Sequence, residues 1–155
     1  MFDPSKIIDT MGPIEYRFRK YCEFTEFILP LTKLNEQYYL IKQIDKKYNS
    51  IHYYIITTES LVIGRFDASF LNLDCSGLTY RIVEEYQNRG IGQVALGTII
   101  NDLFGQNVNK IWINAINGRS AAIALKNGFT FVSKTLYELK LLDYNKNKEK
   151  QQKQI

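Results

Sequence analysis

The sequence predicts a single α/β domain in which a mixed sheet of about six or seven strands is flanked by helices. Its 155 residues are enough for one domain with a real core, and its 45% hydrophobic and 23% charged residues are typical of a globular protein. Strand-like and helix-like segments alternate along the chain. Residues 80–103 combine them, because a short β-branched and aromatic run leads through a glycine-bearing loop into an amphipathic helix.

Composition divides the chain into three parts. Residues 1–22 are mixed, with Asp3-Pro4 and Gly12-Pro13 as turn signals. We expect an N-terminal extension that adds an element to the sheet edge, with an arm that contacts a partner as the alternative. Residues 23–142 form the domain. Residues 143–155 are almost wholly Lys, Asn, Gln and Glu, which predicts a disordered tail whose lysines could contact an anionic partner weakly.

The first half of the domain is predicted to be a strand, a helix and further strands. Residues 23–31 are predicted as a strand broken at Pro30. Thr32 is a candidate N-cap for a helix ending near Asn49, with an apolar face formed by Leu34, Tyr38, Ile41, Ile44 and Tyr48. Residues 51–57 and 61–71 are predicted as a hairpin, and residues 78–83 as the strand before the glycine loop.

The second half follows the glycine loop. A helix is predicted from Val94, with an apolar face formed by Leu96, Ile99, Ile100, Leu103 and Phe104. Residues 111–116 form a mostly apolar strand, as expected for a sheet covered on both faces. Residues 120–126 are a short helix that Asn127-Gly128 closes as a left-handed cap, and residues 129–133 and 136–142 are a final hairpin.

The glycine loop favours an anionic ligand. The first N–H groups of a helix have no partner within the helix and carry the positive end of its dipole. Gly90 and Gly92 would let a phosphate approach these groups closely. The run from Gly90 to Ala95 also fits the dinucleotide-binding pattern G-x-G-x-x-G/A. Against this alternative, polar residues separate Gly90 from the strand, and no acid lies between Asp102 and Glu138 to bind a ribose.

Three motifs follow one another along the chain. Gln87-Asn88-Arg89-Gly90-Ile91-Gly92 matches Q/R-x-x-G-x-G/A, and Asn117-Gly118-Arg119-Ser120 with Lys126-Asn127-Gly128-Phe129 matches N-x-x-S…K-x-G-F. Residues 27–32 (FILPLT) are similar to an R-P-L-T segment of a first strand. In this order and spacing the motifs resemble the GNAT superfamily of acetyl-CoA-dependent N-acetyltransferases, closest to its ribosomal-protein N-terminal acetyltransferase branch. The resemblance covers residues 24–142 and implies the GNAT fold.

This resemblance implies acetyl-CoA as the cofactor. Backbone groups of the glycine loop would hold the pyrophosphate, with Arg89 adding charge. Strand amides at Ile82 and Val83 would polarise the thioester carbonyl, and Asn117 and Ser120 would contact the pantetheine arm. The cofactor-binding residues that it implies are Ile82, Val83, Gln87, Asn88, Arg89, Gly90, Ile91, Gly92, Gln93, Asn117, Ser120 and Lys126.

The resemblance also gives candidate catalytic groups. Ser120 would lie near the sulfur, where its hydroxyl could protonate the leaving thiolate. Many GNAT enzymes use a tyrosine for this step, but Ala124 occupies that position, seven residues after Asn117. Glu85, beside the cofactor strand, and Glu138, in the last strand, are candidate bases for the acceptor amine.

Each of these residues also has a purely structural interpretation. The glycine loop could serve only the path of the chain, and Asn117 could be only the N-cap of the short helix. Either glutamate could be an ordinary surface acid. His52 is the only histidine, and on an alternating strand we expect it to be structural.

The residues and the resemblance predict transfer of an acetyl group from acetyl-CoA to a primary amine in a ternary complex, with a protein N-terminus as the favoured acceptor. A small-molecule acceptor (aminoglycoside or polyamine) and a non-catalytic acetyl-CoA-binding or sensor module are the alternatives. Cys22 and Cys75 are far apart in sequence, so neither a disulfide nor a metal site is expected. No leader or long apolar run is visible, which favours a cytoplasmic monomer or homodimer.

Overall fold

The computed structural model of the chain describes residues 8–9, 25–59, 61–71, 74–87 and 89–153. Within them the strands β1 to β9 are Ile8–Asp9, Thr25–Lys33, Tyr38–Asp45, Ser50–Thr57, Leu61–Phe70, Cys75–Ile82, Lys110–Asn114, Thr130–Ser133 and Leu136–Lys140. The helices α1 to α3 are Ile91–Phe104, Gly118–Lys126 and Leu141–Lys153, and a short 3-10 helix covers Glu84–Tyr86. The chain therefore contains both strands and helices, as the sequence predicts.

The strands form one mixed sheet in the order β2-β3-β4-β5-β6-β7-β9-β8. Strands β6 and β7 run parallel, whereas β3–β4, β4–β5, β7–β9 and β8–β9 are antiparallel. The two-residue strand β1 lies parallel to the start of β5, with Ile8 opposite Leu61. The mixed sheet with flanking helices confirms the predicted fold class, and its path of eight strands exceeds the predicted number.

The extra strand is β3, which lies where the sequence predicts a helix. Tyr38–Asp45 pairs antiparallel with β4, from Tyr38 opposite Thr57 to Asp45 opposite Ser50. The side chain of Asn35 closes the preceding turn by accepting the N–H groups of Gln37 and Tyr38 at 2.8 and 3.0 Å. The helix prediction was therefore wrong. Residues 38–41 (YYLI) are a continuous apolar run, which suits a strand buried on both faces as well as a helix.

The other predicted elements of the domain are confirmed, with shifted ends. The β4–β5 hairpin, the strand β6 before the loop, the long helix α1 and the strand β7 follow in the predicted order. The short helix α2 and the β8–β9 hairpin complete it. Strand β2 continues through Pro30 rather than ending there, with a register shift between Ile28 and Thr32. The predicted N-terminal extension lies outside the described residues, apart from β1.

The chain divides into two compact units. The first contains residues 1–69 and 80–95, and the second contains residues 70–79 and 96–155. In the first unit the Phe66 and Tyr80 rings stack at 5.1 Å, and the fully buried side chains include Leu40, Ile41, Tyr53, Tyr54, Ile55 and Ile63. In the second unit they include Leu96, Ile99, Leu103, Ile111 and Ala124. Each unit therefore has its own apolar core. None of the helices in the described residues is long and apolar enough to cross a membrane.

The C-terminal residues predicted to be a disordered tail are helical up to Lys153, in α3. The Tyr144 ring packs against the Phe104 ring of α1 at 4.9 Å, and the Tyr144 hydroxyl donates to Asn101 Oδ1 at 3.0 Å. Lys148 Nζ donates to the same oxygen at 2.9 Å. The prediction of disorder was therefore wrong. It followed from the polar composition of the segment, whereas the single aromatic residue Tyr144 makes the contacts that hold the helix against α1.

Replacing Tyr144 by Ala should lower the melting temperature by about 3–6 °C, since it removes a ring contact and a hydrogen bond worth about 1–2 kcal/mol together. Thermal unfolding followed by circular dichroism measures the change. Lys146→Ala, on an exposed position of the same helix, is the control and should leave the melting temperature unchanged. Equal melting temperatures for both variants would show that the Tyr144 contacts do not stabilise the folded chain.

Candidate functional site

The candidate cofactor site begins at the carboxyl end of β6. Strand β6 pairs with β7 from Cys75, opposite Lys110, to Leu78, opposite Ile113. The last residues of β6 follow the end of this paired segment. The Val83 N–H donates to the Ile63 carbonyl at 2.8 Å. In this conformation the Val83 amide is therefore committed to the sheet and is not directed at a ligand.

The polar residues that follow β6 form a compact loop. Glu84–Tyr86 is a turn of 3-10 helix, in which the Tyr86 N–H donates to the Val83 carbonyl at 2.9 Å. The Gln87 N–H donates to the Glu84 carbonyl at 3.1 Å, and Gln87 Nε2 donates to the Ile82 carbonyl at 2.8 Å. These bonds hold the start of the predicted phosphate loop against the end of the strand.

Arg89 is held over the loop by its neighbours. Its guanidinium donates to the Glu85 carbonyl at 3.0 Å and lies 5.1 Å from the centre of the Tyr86 ring. The Tyr86 ring in turn packs edge-on against Tyr38 of β3, with ring centres 6.4 Å apart. These contacts restrict the guanidinium to the vicinity of the loop while its side chain stays exposed. Asn88, predicted to bind the cofactor, lies outside the described residues.

Gly90 and the start of α1 have the geometry that an anion site requires. Gly90 has φ of +77°, in the left-handed region, and a Cβ built on it would meet no atom of the described residues within 4 Å. Helix α1 begins at Ile91, its first turn carries no acid, and the Val94 N–H donates to the Gly90 carbonyl at 3.2 Å. A glycine in this conformation at a helix N-terminus lets an anion approach the backbone N–H groups closely.

The second motif forms the ends of α2. Asn117 is the N-cap, because its Oδ1 accepts the Ser120 N–H at 2.8 Å, and this confirms the structural role that its position allows. Ser120 is half-buried and Lys126 is exposed in the last turn. Gly128 follows α2 with φ of +88° and confirms the predicted left-handed cap.

Ala124 stands where many GNAT enzymes carry their tyrosine acid, and it is fully buried. Its carbonyl accepts the Asn127 N–H at 3.0 Å and the Phe129 N–H at 3.1 Å, which closes the end of α2. A tyrosine side chain at this position would need space that the core does not leave. In this chain position 124 is therefore a packing position.

The two candidate bases have different surroundings. Glu138 lies opposite Trp112 and accepts its indole N–H at 2.8 Å, with Lys110 at 3.7 Å and Lys140 at 3.8 Å. With these partners the Glu138 carboxylate links the side chains of the paired strands β7 and β9. Taking a proton from an amine would neutralise the carboxylate and weaken these contacts. Glu85 is exposed in the 3-10 helix.

A polar cluster on β4 and β5 is a feature that the sequence did not predict. His52 Nδ1 bonds the Asp67 carboxylate, and Arg65 Nε donates to the same carboxylate at 2.9 and 3.1 Å. Ser50 Oγ lies 3.3 Å from His52 Nε2. Burial raises the pKa of Asp67, but the His52 hydrogen bond and the Arg65 charge outweigh it and hold this pKa below its usual value. The histidine is structural, as expected, and only the strand register reveals its partners.

Because the folded state lowers the pKa of Asp67, its ionised carboxylate stabilises the fold above the unfolded pKa, about 3.9. Asp67→Asn should therefore reduce the free energy of unfolding by about 1–3 kcal/mol at pH 7. The difference from the wild type should shrink as the pH falls below about 4. Urea unfolding from pH 7 to pH 3 measures it, with Glu59→Gln as an exposed control. A pH-independent difference would mean that Asp67 acts through packing rather than charge.

Comparison with known proteins identifies the fold. No family model and no curated protein matches the sequence. Among solved structures, a ribosomal-protein-S5-alanine acetyltransferase from Vibrio fischeri aligns with 64% of this chain at 20% identity and a TM-score of 0.55. The chain spans 66% of that enzyme's length, slightly under two thirds.

Two further matches have other acceptors. An aminoglycoside acetyltransferase in complex with coenzyme A aligns with 65% of this chain and 72% of its own at 14% identity, with a TM-score of 0.56. A chimera of the spermidine N-acetyltransferase from Vibrio cholerae and hSSAT aligns with 63% of this chain and 70% of its own at 14% identity, also with a TM-score of 0.56. The chain therefore has the fold of the GNAT acetyltransferases. It is similar to enzymes with protein and with small-molecule acceptors.

Proposed function

We propose that this chain is a GNAT-type N-acetyltransferase that uses acetyl-CoA and a primary amine. The observation that carries the proposal is the geometry of Gly90, whose positive φ and open Cβ position lie at the N-terminus of α1 directly after Arg89. A nucleotide pyrophosphate is a ligand that such a loop accommodates. The GNAT fold then favours acetyl-CoA over a dinucleotide.

In the proposed complex the chain's own groups bind and orient the cofactor, which supplies the reactive thioester. The amides at the start of α1 and the Arg89 guanidinium bind the pyrophosphate oxygens. The backbone of Ile82 aligns the acyl end. Because the Val83 N–H already donates to Ile63, we do not assign it to the thioester carbonyl. Asn117 contacts the pantetheine arm through its amide nitrogen, since its Oδ1 caps α2.

Proton transfers complete the proposed mechanism. The Ser120 hydroxyl gives its proton to the leaving thiolate, as a general acid placed at the start of α2. Glu85, directly or through a water, takes a proton from the acceptor amine. We do not assign Glu138 this role, since its carboxylate is held by Trp112, Lys110 and Lys140.

We favour a protein N-terminal amine as the acceptor, in the cytoplasm. Support comes from the FILPLT segment and from the similarity to a ribosomal-protein acetyltransferase. Lysines on α3 could add a weak contact with an anionic partner such as a ribosomal particle. The likeness to aminoglycoside and spermidine enzymes supports a small amine as the alternative acceptor.

The second candidate function is a non-catalytic acetyl-CoA-binding module. Two observations favour it: Ala124 is buried in place of the tyrosine acid, and Glu138 is committed to structural partners. Such a module would bind the cofactor through the same loop and would release no thiol when an amine is added.

A screen of acceptors tests these functions. Purified chain is incubated with acetyl-CoA and either N-terminal peptides, spermidine or an aminoglycoside, and thiol release is followed. Binding of CoA is measured in parallel by calorimetry. Release with peptides only supports the protein acceptor, and release with a small amine only replaces it. Binding without release under all conditions supports the non-catalytic module, and absence of CoA binding refutes both.

A further inference from the structure

The Gln87 side chain contains a buried acceptor without a partner. Its Nε2 donates to the Ile82 carbonyl at 2.8 Å, which fixes one end of the amide. Its Oε1 is buried, and within the described part of the chain it accepts no hydrogen bond. Buried polar atoms in native proteins are nearly always paired, so an unpaired one calls for an explanation.

The orientation of this amide is determined by chemistry. Only the NH2 group can face a carbonyl oxygen, because the amide oxygen has no hydrogen to donate. Exchanging the two atoms would place two acceptors against each other at Ile82. The oxygen must therefore point away from the strand, where it pays the desolvation penalty of an unmade hydrogen bond.

The nature of the missing partner follows from the same chemistry. A carbonyl oxygen needs a donor, and the pyrophosphate oxygens expected beside Gly90 have none to offer. Coenzyme A does carry donors, in the amide N–H groups of its pantetheine arm and in its nucleoside. Gln87 Nε2 is bonded to the Ile82 carbonyl at the end of β6, the strand along which the proposed function places the acyl end of the cofactor. Of these donors, we therefore assign the amide N–H groups of the arm to Gln87 Oε1.

We propose that Gln87 Oε1 accepts an amide N–H of the pantetheine arm and so fixes how far the thioester extends along β6. This inference rests on the proposed function, since it assumes that coenzyme A is the ligand. Gln87 would then be a positioning residue with two bonds in opposite directions, one to the strand and one to the cofactor. Its role would differ from that of the glycines, which serve the phosphates.

The test compares two ligands with one variant. Gln87→Met keeps the length of the side chain and removes both hydrogen bonds. Calorimetry should show that the affinity for CoA falls about tenfold more than the affinity for adenosine 3′,5′-bisphosphate, which lacks the pantetheine arm and can report only the loss of the Ile82 bond. Gln106→Met, at an exposed glutamine, is the matched control and should change neither.

Gln87→Met also removes the Nε2 bond to the Ile82 carbonyl, so a lower melting temperature is expected whichever role Oε1 has. The ratio of the two affinity losses therefore decides. If Gln87 serves only the loop, Gln87→Met should weaken both ligands equally, which would overturn the inference. Should Gln87→Met not fold, Gln87→Ala takes its place. A wild type that binds no CoA refutes the proposed function itself, whereas wild-type binding that the variant retains fully refutes only the inference.

Discussion

Gly90→Val should reduce the affinity for CoA at least tenfold. The backbone at Gly90 has φ of +77°, a conformation that costs a β-branched residue about 1–2 kcal/mol. Among the described residues no atom lies within 4 Å of a Cβ built there, and a Val side chain would occupy the space that the proposed function assigns to the pyrophosphate. Steric exclusion and backbone strain act in the same direction, which makes this one of the largest effects expected in the chain. Calorimetry with CoA measures it.

A second substitution at the same position separates the two causes. Gly90→Ala introduces the backbone strain with a smaller side chain, so its loss of affinity should lie between those of wild type and Gly90→Val. Circular dichroism shows whether each variant is folded. A folded Gly90→Val protein with wild-type affinity for CoA would remove the anchor on which the proposed function rests.

Local chemistry explains why this part of the site could be predicted from the sequence. A glycine in the left-handed region, an N-cap and a left-handed C-cap each depend on a few neighbouring residues. Gly90, Asn117 and Gly128 therefore have in the structure the backbone roles that their spacing indicates. The strand-to-helix order around the loop is equally local, since it follows from the change of hydrophobic period from strand to helix.

The elements that the sequence mispredicts depend on distant partners. Strand β3 forms because its backbone pairs with β4, and its apolar residues fit a buried strand as well as a helix face. Helix α3 is ordered by the Tyr144 contacts to Phe104 and Asn101 of α1, forty-three residues away in the case of Asn101. Neither partner is visible in the segment itself.

The same limit applies to the chemistry of the site. The sequence gives Glu138 no sign of its bond to Trp112, which is set by the register of β7 with β9. It also gives no sign that the Val83 N–H donates to Ile63 of a neighbouring strand. Candidate residues can be read from motifs, but their hydrogen-bond partners follow from strand pairing. Cofactor contacts of the motif residues stay predictions.

Ser120→Ala should lower kcat about 100-fold while leaving the affinity for CoA nearly unchanged, which is the range expected for loss of a general acid. The substitution removes the hydroxyl and keeps the backbone N–H, whose bond to Asn117 Oδ1 at 2.8 Å caps α2. Helix α2 should therefore remain intact, and the effect should report on the hydroxyl alone. Thiol release at saturating acetyl-CoA, with the acceptor found in the screen, measures kcat.

The alternatives for Ser120 give different results in the same assay. If the hydroxyl only binds the pantetheine arm, the affinity for CoA should fall while kcat hardly changes. If Ser120 only begins the helix, neither should change, because the alanine retains the capping bond. Ser133→Ala, at an exposed serine of β8, is the control for the loss of a hydroxyl elsewhere and should match the wild type in both measurements. A kcat equal to that of this control would exclude Ser120 as the acid. Since Ala124 is buried and carries no acidic group, water would then have to donate the proton to the thiolate.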